Sequence, residues 1–281
     1  MSPLRLFALT GLAMLAFAGN SLLCRAALKH TPIDAATFTT VRLVAGAITL
    51  WLLVALRHQQ AWRAGNWFSA LALFVYAAGF SYAYISLPAA TGALLLFGAV
   101  QATMVGHAWL KGERLAPVQI GGMVLAFSGI AGLLMPGISA PPVVGAVLML
   151  AAGAAWGIYS LRGRGGGNPI EITAGNFLRA VPVALLLSAA TLNQATWNAE
   201  GLWYAVASGA LASGVGYALW YTALPALRGV QAATVQLSVP VLATFGAVVL
   251  LGEPLTLRLM LASVAILGGI GLVVWNQQGR R

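Results

Sequence analysis

Ten apolar stretches, each close to the ~20 residues a helix needs to cross a bilayer, run through this chain with short polar connections between them. They cover roughly Leu4–Ala27, Ala35–Leu56, Trp67–Leu87, Thr91–Leu110, Pro117–Leu134, Val143–Leu161, Ile172–Leu192, Gly201–Leu224, Val230–Leu251 and Leu257–Trp275. Charged residues make up 7% of the chain, against roughly 25% in a soluble domain, so it cannot cover a water-facing surface. The expected fold class is all-α integral membrane, with ten transmembrane helices. Pro182 and Pro240 fall inside segments seven and nine and predict a kink or a broken hydrogen-bond ladder there.

The formal charge of +10 comes from Lys and Arg scattered singly between apolar segments, which excludes a nucleic-acid-binding face. With the N-terminus in the cytoplasm, Arg5, Arg57, Arg63, Lys111, Arg114, Arg162, Arg164, Arg228, Arg280 and Arg281 lie inside, and Arg25, Lys29 and Arg258 outside. This bias of ten to three predicts that both termini are cytoplasmic. Trp62, Trp67, Trp109, Trp197 and Trp275 fall at segment ends, where indole suits the interface. Arg5 and the Ala16-Phe17-Ala18 triplet resemble a cleaved leader, but the apolar run continues to Ala27, so a membrane helix is expected. A single cysteine, Cys24, excludes a disulfide framework and a Cys/His metal site.

The chain repeats itself. Pro32-Ile33-Asp34 to Arg42 recurs 137 positions later as Pro169-Ile170-Glu171 to Arg179. Gly112-Glu113-Arg114-Leu115 recurs 140 positions later as Gly252-Glu253-Pro254-Leu255, and Ser128-Gly129-Ile130 as Gly268-Gly269-Ile270 at the same offset. Met14-Leu15-Ala16 and Met149-Leu150-Ala151 are a weaker echo in segments one and six. Two units follow, residues 1–136 and 141–281, each of five segments. A repeated unit with an odd number of spans returns upside down, so an inverted-topology repeat is expected, as in secondary transporters.

Two five-helix halves, each with an arginine in its second helix and a Gly-Glu turn after its fourth, resemble the drug/metabolite transporter superfamily and its EamA domains. Within it the layout is most similar to bacterial inner-membrane exporters of amino acids, including the YddG-type aromatic amino acid branch. The resemblance implies a basket of ten helices around a central cavity lined mainly by helices one, three, four, six, eight and nine, with no ATP hydrolysis and no cofactor. It also implies a multi-pass location in the bacterial inner membrane, with the lipid bilayer and a small-molecule substrate as partners, as a monomer or homodimer. Many members carry Trp-Gly-Ser/Asn in helix one; here it reads Phe17-Ala18-Gly19-Asn20, while helix six keeps Trp156-Gly157.

Arg42 and Arg179 each lie about two turns inside an apolar segment, ~12 Å from its start. A charge there calls for a function or a partner, and no acid lies deep in any segment. Each can attract a substrate carboxylate, or bond helix-end carbonyls; their equivalent positions favour the second, structural role for both. Asp34 and Glu171 read as helix-start residues matched to the dipole, and Glu113 and Glu253 as loop anchors. Tyr76, Phe80 and Tyr84 share a face of segment three, from which Tyr82 points away. Ser213, Tyr217 and Tyr221 share a face of segment eight, beside Gly216 and Trp220. Asn20 and Ser21, Gln101, and Trp156 with Tyr159 add polar and aromatic groups in segments one, four and six. In segment nine Gln231, Thr234 and Ser238 share one face and Gln236 occupies another. Singly such residues glue helices together; as a set they suit an apolar site with a few convergent polar groups. Asn20, Tyr76, Tyr82, Gln101, Trp156, Tyr217, Tyr221 and Gln236 are therefore the substrate-binding candidates, with Arg42 and Arg179 as structural or carboxylate-contacting residues. His107, near the end of segment four, reads as an interfacial residue before a proton relay. Glycines and serine in segments five and ten predict close packing between halves or a dimer face.

An enzyme would need a nucleophile–base pair, metal ligands or paired carboxylates, and the three His, one Cys and five acids offer none deep in the segments. No Gly-x-x-x-x-Gly-Lys motif or ring of filter residues points to an ATPase or a channel. Residues 163–167 read as a glycine-rich linker between halves. The expected function is secondary export of small metabolites, amino acids foremost, with export of multidrug or cationic compounds as the alternative.

Overall fold

In lipid every backbone N–H and C=O must find an internal partner, and the chain meets that demand with helix throughout. The computed structural model describes all residues except 59, 62–63, 113–115, 138–139, 164–166, 228 and 277–281, and only the backbone of 229–231, 233 and 275–276. Arg63, Arg114, Arg164, Arg228, Arg280 and Arg281, Trp62, Glu113, the middle of the linker at 164–166, and the side chains of Gln231 and Trp275 lie outside the described residues.

Among the described residues ten helices are long and apolar enough to cross a membrane. Spans 1 to 5 are Pro3–His30, Ala35–Ala55, Trp67–Tyr84, Ala89–Leu110 and Pro117–Leu134; spans 6 to 10 are Val143–Arg162, Pro169–Ala190, Ala199–Ala226, Thr234–Leu251 and Leu257–Val274. Several starts carry a side-chain cap, at Asp34 as the sequence suggests. Asp34 accepts from the Thr37 N–H and Asn66 from the Ser69 N–H, while Asn168 caps span 7 with Glu171 in its first turn. The glycine of each Gly-Glu turn, Gly112 and Gly252, has positive φ (88° and 62°), the left-handed geometry that ends a helix without a Cβ clash. Large apolar side chains such as Phe7, Leu110, Phe245 and Val264 point outward, as a lipid-facing surface requires. Trp67, Trp109 and Trp197 are exposed near span ends.

Two spans are irregular. Span 9 is interrupted at Leu237, between helices Gly229–Gln236 and Ser238–Leu251. Pro240 has no N–H for the Gln236 carbonyl, which accounts for the break. Pro182 leaves the helix Pro169–Ala190 continuous. Span 8 carries a π-helical segment, Ser208–Val215, which no proline marks.

Span 5 packs along span 10, and span 2 along span 7. Span 6 receives spans 3 and 4, span 1 receives spans 8 and 9, and span 3 touches span 7 as span 8 touches span 2. Glycines allow the closest approaches. Gly122 faces the Gly269 carbonyl and Gly269 the Gly122 carbonyl, whereas Gly121, Gly132, Gly268 and Gly271 face open space. The small residues thus hold spans 5 and 10 together.

Cross-braces close the helix ends. The Thr196 N–H donates to Asp34 at 2.9 Å, tying the span 1–2 loop to the span 7–8 loop. Partial burial alone would raise the Asp34 carboxyl, but hydrogen bonds from Thr37, Thr196 and Ala36 outweigh it and hold Asp34 below the usual carboxylate range. Such a group stabilises the fold above its unfolded pKa of about 3.9, and that contribution disappears as pH falls through the lowered folded value. Asp34→Asn is therefore expected to be less stable than wild type by a constant amount near neutrality, with the difference shrinking below about pH 4 in thermal melts of detergent-solubilised protein.

At another set of ends, Arg25 and Glu253 form a buried ion pair, Nε to Oε1 3.1 Å. Arg25 also donates to the Tyr84 and Ile85 carbonyls, and the second Glu253 oxygen accepts from the Ala89 N–H at 2.8 Å. Glu253 is thus the loop anchor the sequence suggests, and it supplies the N–H acceptor that Pro88 cannot at the start of span 4.

Candidate functional site

The i, i+4 spacing of span 3 stacks Tyr76, Phe80 and Tyr84 on one buried face, with centroids 5.5 and 4.7 Å apart. The Tyr76 hydroxyl is the polar hub. It accepts from Arg42 Nη2 at 3.0 Å and from Asn20 Nδ2 at 3.2 Å. The Asn20 carbonyl oxygen in turn accepts from the Ser208 hydroxyl at 2.6 Å. This chain of contacts joins spans 2, 3, 1 and 8, and it ends at the first residue of the π segment.

An aromatic cluster surrounds the hub. Trp156 of span 6 lies 4.9 Å from Tyr76 and stacks on Tyr159 and Tyr217, both at 5.3 Å. Phe17 packs on Tyr217 and Trp220, Phe177 meets Tyr217 edge-on at 5.9 Å, and Tyr221 follows Tyr217 one turn on. Trp156, Phe17 and Tyr221 are only half-buried although spans 1, 3, 6 and 8 crowd around them. Offset and tilted ring pairs of this kind present flat apolar faces to whatever enters.

The two arginines part company here. Arg179 donates to the Ala64 carbonyl at 2.5 Å and the Gly175 carbonyl at 2.9 Å. Gly175 lets the residues before span 3 dock directly on span 7 and bring that carbonyl within reach. Arg42 bonds no carbonyl among the described residues. Its guanidinium lies over the Phe80 and Tyr76 rings, 4.8 and 5.3 Å from their centroids. Arg42 is 2% exposed, and among the described residues its Nη1 has no hydrogen-bond partner. Of the pair, Arg179 bonds carbonyls as expected from its position, while Arg42 among the described residues bonds the Tyr76 hydroxyl instead, because their surroundings differ. The π segment of span 8 packs through Gly209 against the Arg42 backbone.

Of the binding candidates, Asn20, Tyr76, Trp156, Tyr217 and Tyr221 come together in this cluster. Tyr82 does not; it is half-buried and close enough to Asp34 to feel its charge. Gln101 is buried in span 4 and Gln236 half-buried before the break in span 9, and among the described residues neither bonds to the cluster. Phe17, Phe177 and Ser208 belong to the cluster and escaped the sequence reading. Phe17 stands three before Asn20 in the same segment, within reach of a sequence reading, whereas Ser208 depends on the π turn. His107 is exposed in the last turn of span 4.

The family model described as the EamA-like transporter family matches residues 143–275. A Pseudomonas aeruginosa protein described only as uncharacterized is 57% identical over 281 residues, covering 100% of this chain and 98% of that one. The chain carries an EamA-like transporter domain over residues 143–275. Other relatives of this EamA-like chain are the threonine/homoserine exporter RhtA of Salmonella typhimurium and of Escherichia coli, each 31% identical over 156 residues. That match spans 54% of this chain and 52% of RhtA. A solved crystal structure superposes with a TM-score of 0.67 at 20% identity, over 98% of this chain and 99% of the other, and shows a shared fold alone. The cluster around Trp156 therefore sits inside a multi-pass small-molecule transporter of the drug/metabolite transporter superfamily.

Proposed function

We propose that the chain is a secondary exporter of small metabolites, amino acids foremost and neutral and aromatic ones among them, working by alternating access at the Trp156 site. The observation that carries this is the convergence of Tyr76, Asn20 and Arg42 on one polar hub inside an aromatic wall. Such a wall suits an apolar side chain, and the hub suits a carboxylate. RhtA, by its name an amino acid exporter, supports the same substrate class. Residues 1–136 and 141–281 act as two inverted halves that rock about the site. The pairing of spans supports this, because exchanging spans 1–5 with 6–10 maps the main contacts onto one another. Both termini lie in the cytoplasm of a bacterium whose inner membrane holds the protein, as the Lys and Arg bias favours. The stacked Trp156 and Tyr217 rings also favour a second reading, a carrier of cationic compounds, which the buried Arg42 charge opposes.

Counterflow of labelled Phe, Met, Thr, Lys and Glu into proteoliposomes tests the proposal. Saturable counterflow of the neutral amino acids without a proton gradient is expected. Trp156→Ala is expected to weaken it about fivefold or more, since an aromatic contact contributes ~1 kcal/mol beyond its area. Tyr82→Ala, which removes a residue outside the cluster, is expected to leave it near wild type. Absence of counterflow for every solute would sink the amino acid reading and bring cationic compounds forward.

A further inference from the structure

The unpartnered nitrogen of Arg42 narrows the cargo. Arg42 is 2% exposed, and a buried charged donor without an acceptor is strongly unfavourable. Its second terminal nitrogen already donates to Tyr76. The Tyr76 oxygen accepts twice, from Arg42 and from Asn20, which uses both lone pairs of a hydroxyl. The Tyr76 proton is thus left to donate. Two donors, Arg42 Nη1 and the Tyr76 O–H, belong to two side chains already joined by one hydrogen bond, a pair matched to the two oxygens of a carboxylate.

The charge of the site is equally specific. Around Arg42 lie the rings of Tyr76 and Phe80, with Tyr217 and Cys24 close enough to feel its charge. Among the described residues no carboxylate joins them. Glu253 is engaged by Arg25 and Ala89, Asp34 caps span 2, and Glu171 and Glu200 lie in the first turns of spans 7 and 8. A monocarboxylate neutralises the site on binding. A zwitterionic amino acid brings an ammonium that finds aromatic faces already facing a guanidinium, and no acid.

Resting on the transporter reading above, we infer that the site prefers carboxylates lacking a free ammonium group, with a flat apolar body against Trp156 and Tyr217, over the matching amino acids. Arg42 is the anchor for that carboxylate. The matched set is 3-phenylpropionate, L-phenylalanine (the same skeleton plus an ammonium) and 3-phenylpropionamide (the same skeleton without the charge).

The test uses the full chain in proteoliposomes, with protein-free vesicles as leak control, and reads counterflow of labelled 3-phenylpropionate and labelled L-phenylalanine. Binding of all three to detergent-solubilised protein is read in parallel by tryptophan fluorescence. Expected is a half-saturating concentration about tenfold or more lower for 3-phenylpropionate than for the amide, which lacks the hydrogen bond to a charged group, and about tenfold or more lower than for L-phenylalanine, whose ammonium loses its water with no acid to meet it. Arg42→Gln is expected to bring acid and amide to equal affinity, while Arg42→Lys, which keeps the charge, retains the preference for the acid. Equal or tighter binding of L-phenylalanine overturns the inference and leaves the amino acid carrier reading intact. An acid preference unchanged in a folded Arg42→Gln protein overturns the anchor. No binding or counterflow of any of the three overturns the inference, and loss of all amino acid counterflow besides removes the reading beneath it.

Discussion

Glu253→Gln is expected to destabilise the protein by about 3 kcal/mol or more, because it leaves Arg25 as a buried cation without its counter-charge. The pair is nearly sealed, with side chains 10% and 5% exposed. The glutamine oxygen can still accept from the Ala89 N–H, so the loss reports the ion pair itself. Arg25 keeps the Tyr84 and Ile85 carbonyls, which hold the effect toward the lower end of the range for such substitutions. The double variant Arg25→Met with Glu253→Gln is expected to recover most of the loss, since no uncompensated charge remains. Thermal unfolding in detergent reads both. A single-variant loss below about 1 kcal/mol would mean that the pair behaves as an exposed surface bridge.

The second large effect is expected at Gly209. A methyl group there would collide with the Arg42 carbonyl oxygen and the Ala45 side chain, and backbone cannot step aside as a flexible side chain can. Gly209→Val therefore overpacks the contact between spans 2 and 8, at a cost of about 1–3 kcal/mol. It also shifts the π segment that places Ser208 against Asn20, so transport is expected to fall with stability. Gly268→Ala, which meets open space, is the matched control and is expected to stay within about 0.5 kcal/mol of wild type. Equal melting temperatures for Gly209→Val and Gly268→Ala would show that the span 2–8 contact yields.

How legible the site was depended on how far apart its members stand in the chain. Tyr76, Phe80 and Tyr84 share a face by helical period alone, and the structure stacks them. Trp156 with Tyr217 was legible only as two aromatics on segments that the family resemblance sends to one cavity; their stacking is a tertiary fact. Tyr217 keeps its place near Tyr221 because the helix after Val215 is regular, whereas Ser213 lies inside the π turn, where i, i+4 no longer names neighbours. Arg25 shows the opposite lapse. It stands inside an apolar segment, yet counting it as an end charge concealed its bond to Glu253, 228 residues away.

The sequence by itself determined the ten spans, their caps at Asp34, the break near Pro240 and the membrane-transporter family. Those follow from apolar length, local hydrogen bonding and missing N–H groups, all of which act within a few residues. Only the tertiary structure decided that Arg179 bonds backbone carbonyls while Arg42 keeps a donor unpaired against aromatic rings. Two arginines at equivalent positions differ because a buried charge takes its role from what the neighbouring elements bring to it: the Ala64 carbonyl of a docked loop meets Arg179, and the Tyr76 and Phe80 rings of span 3 meet Arg42.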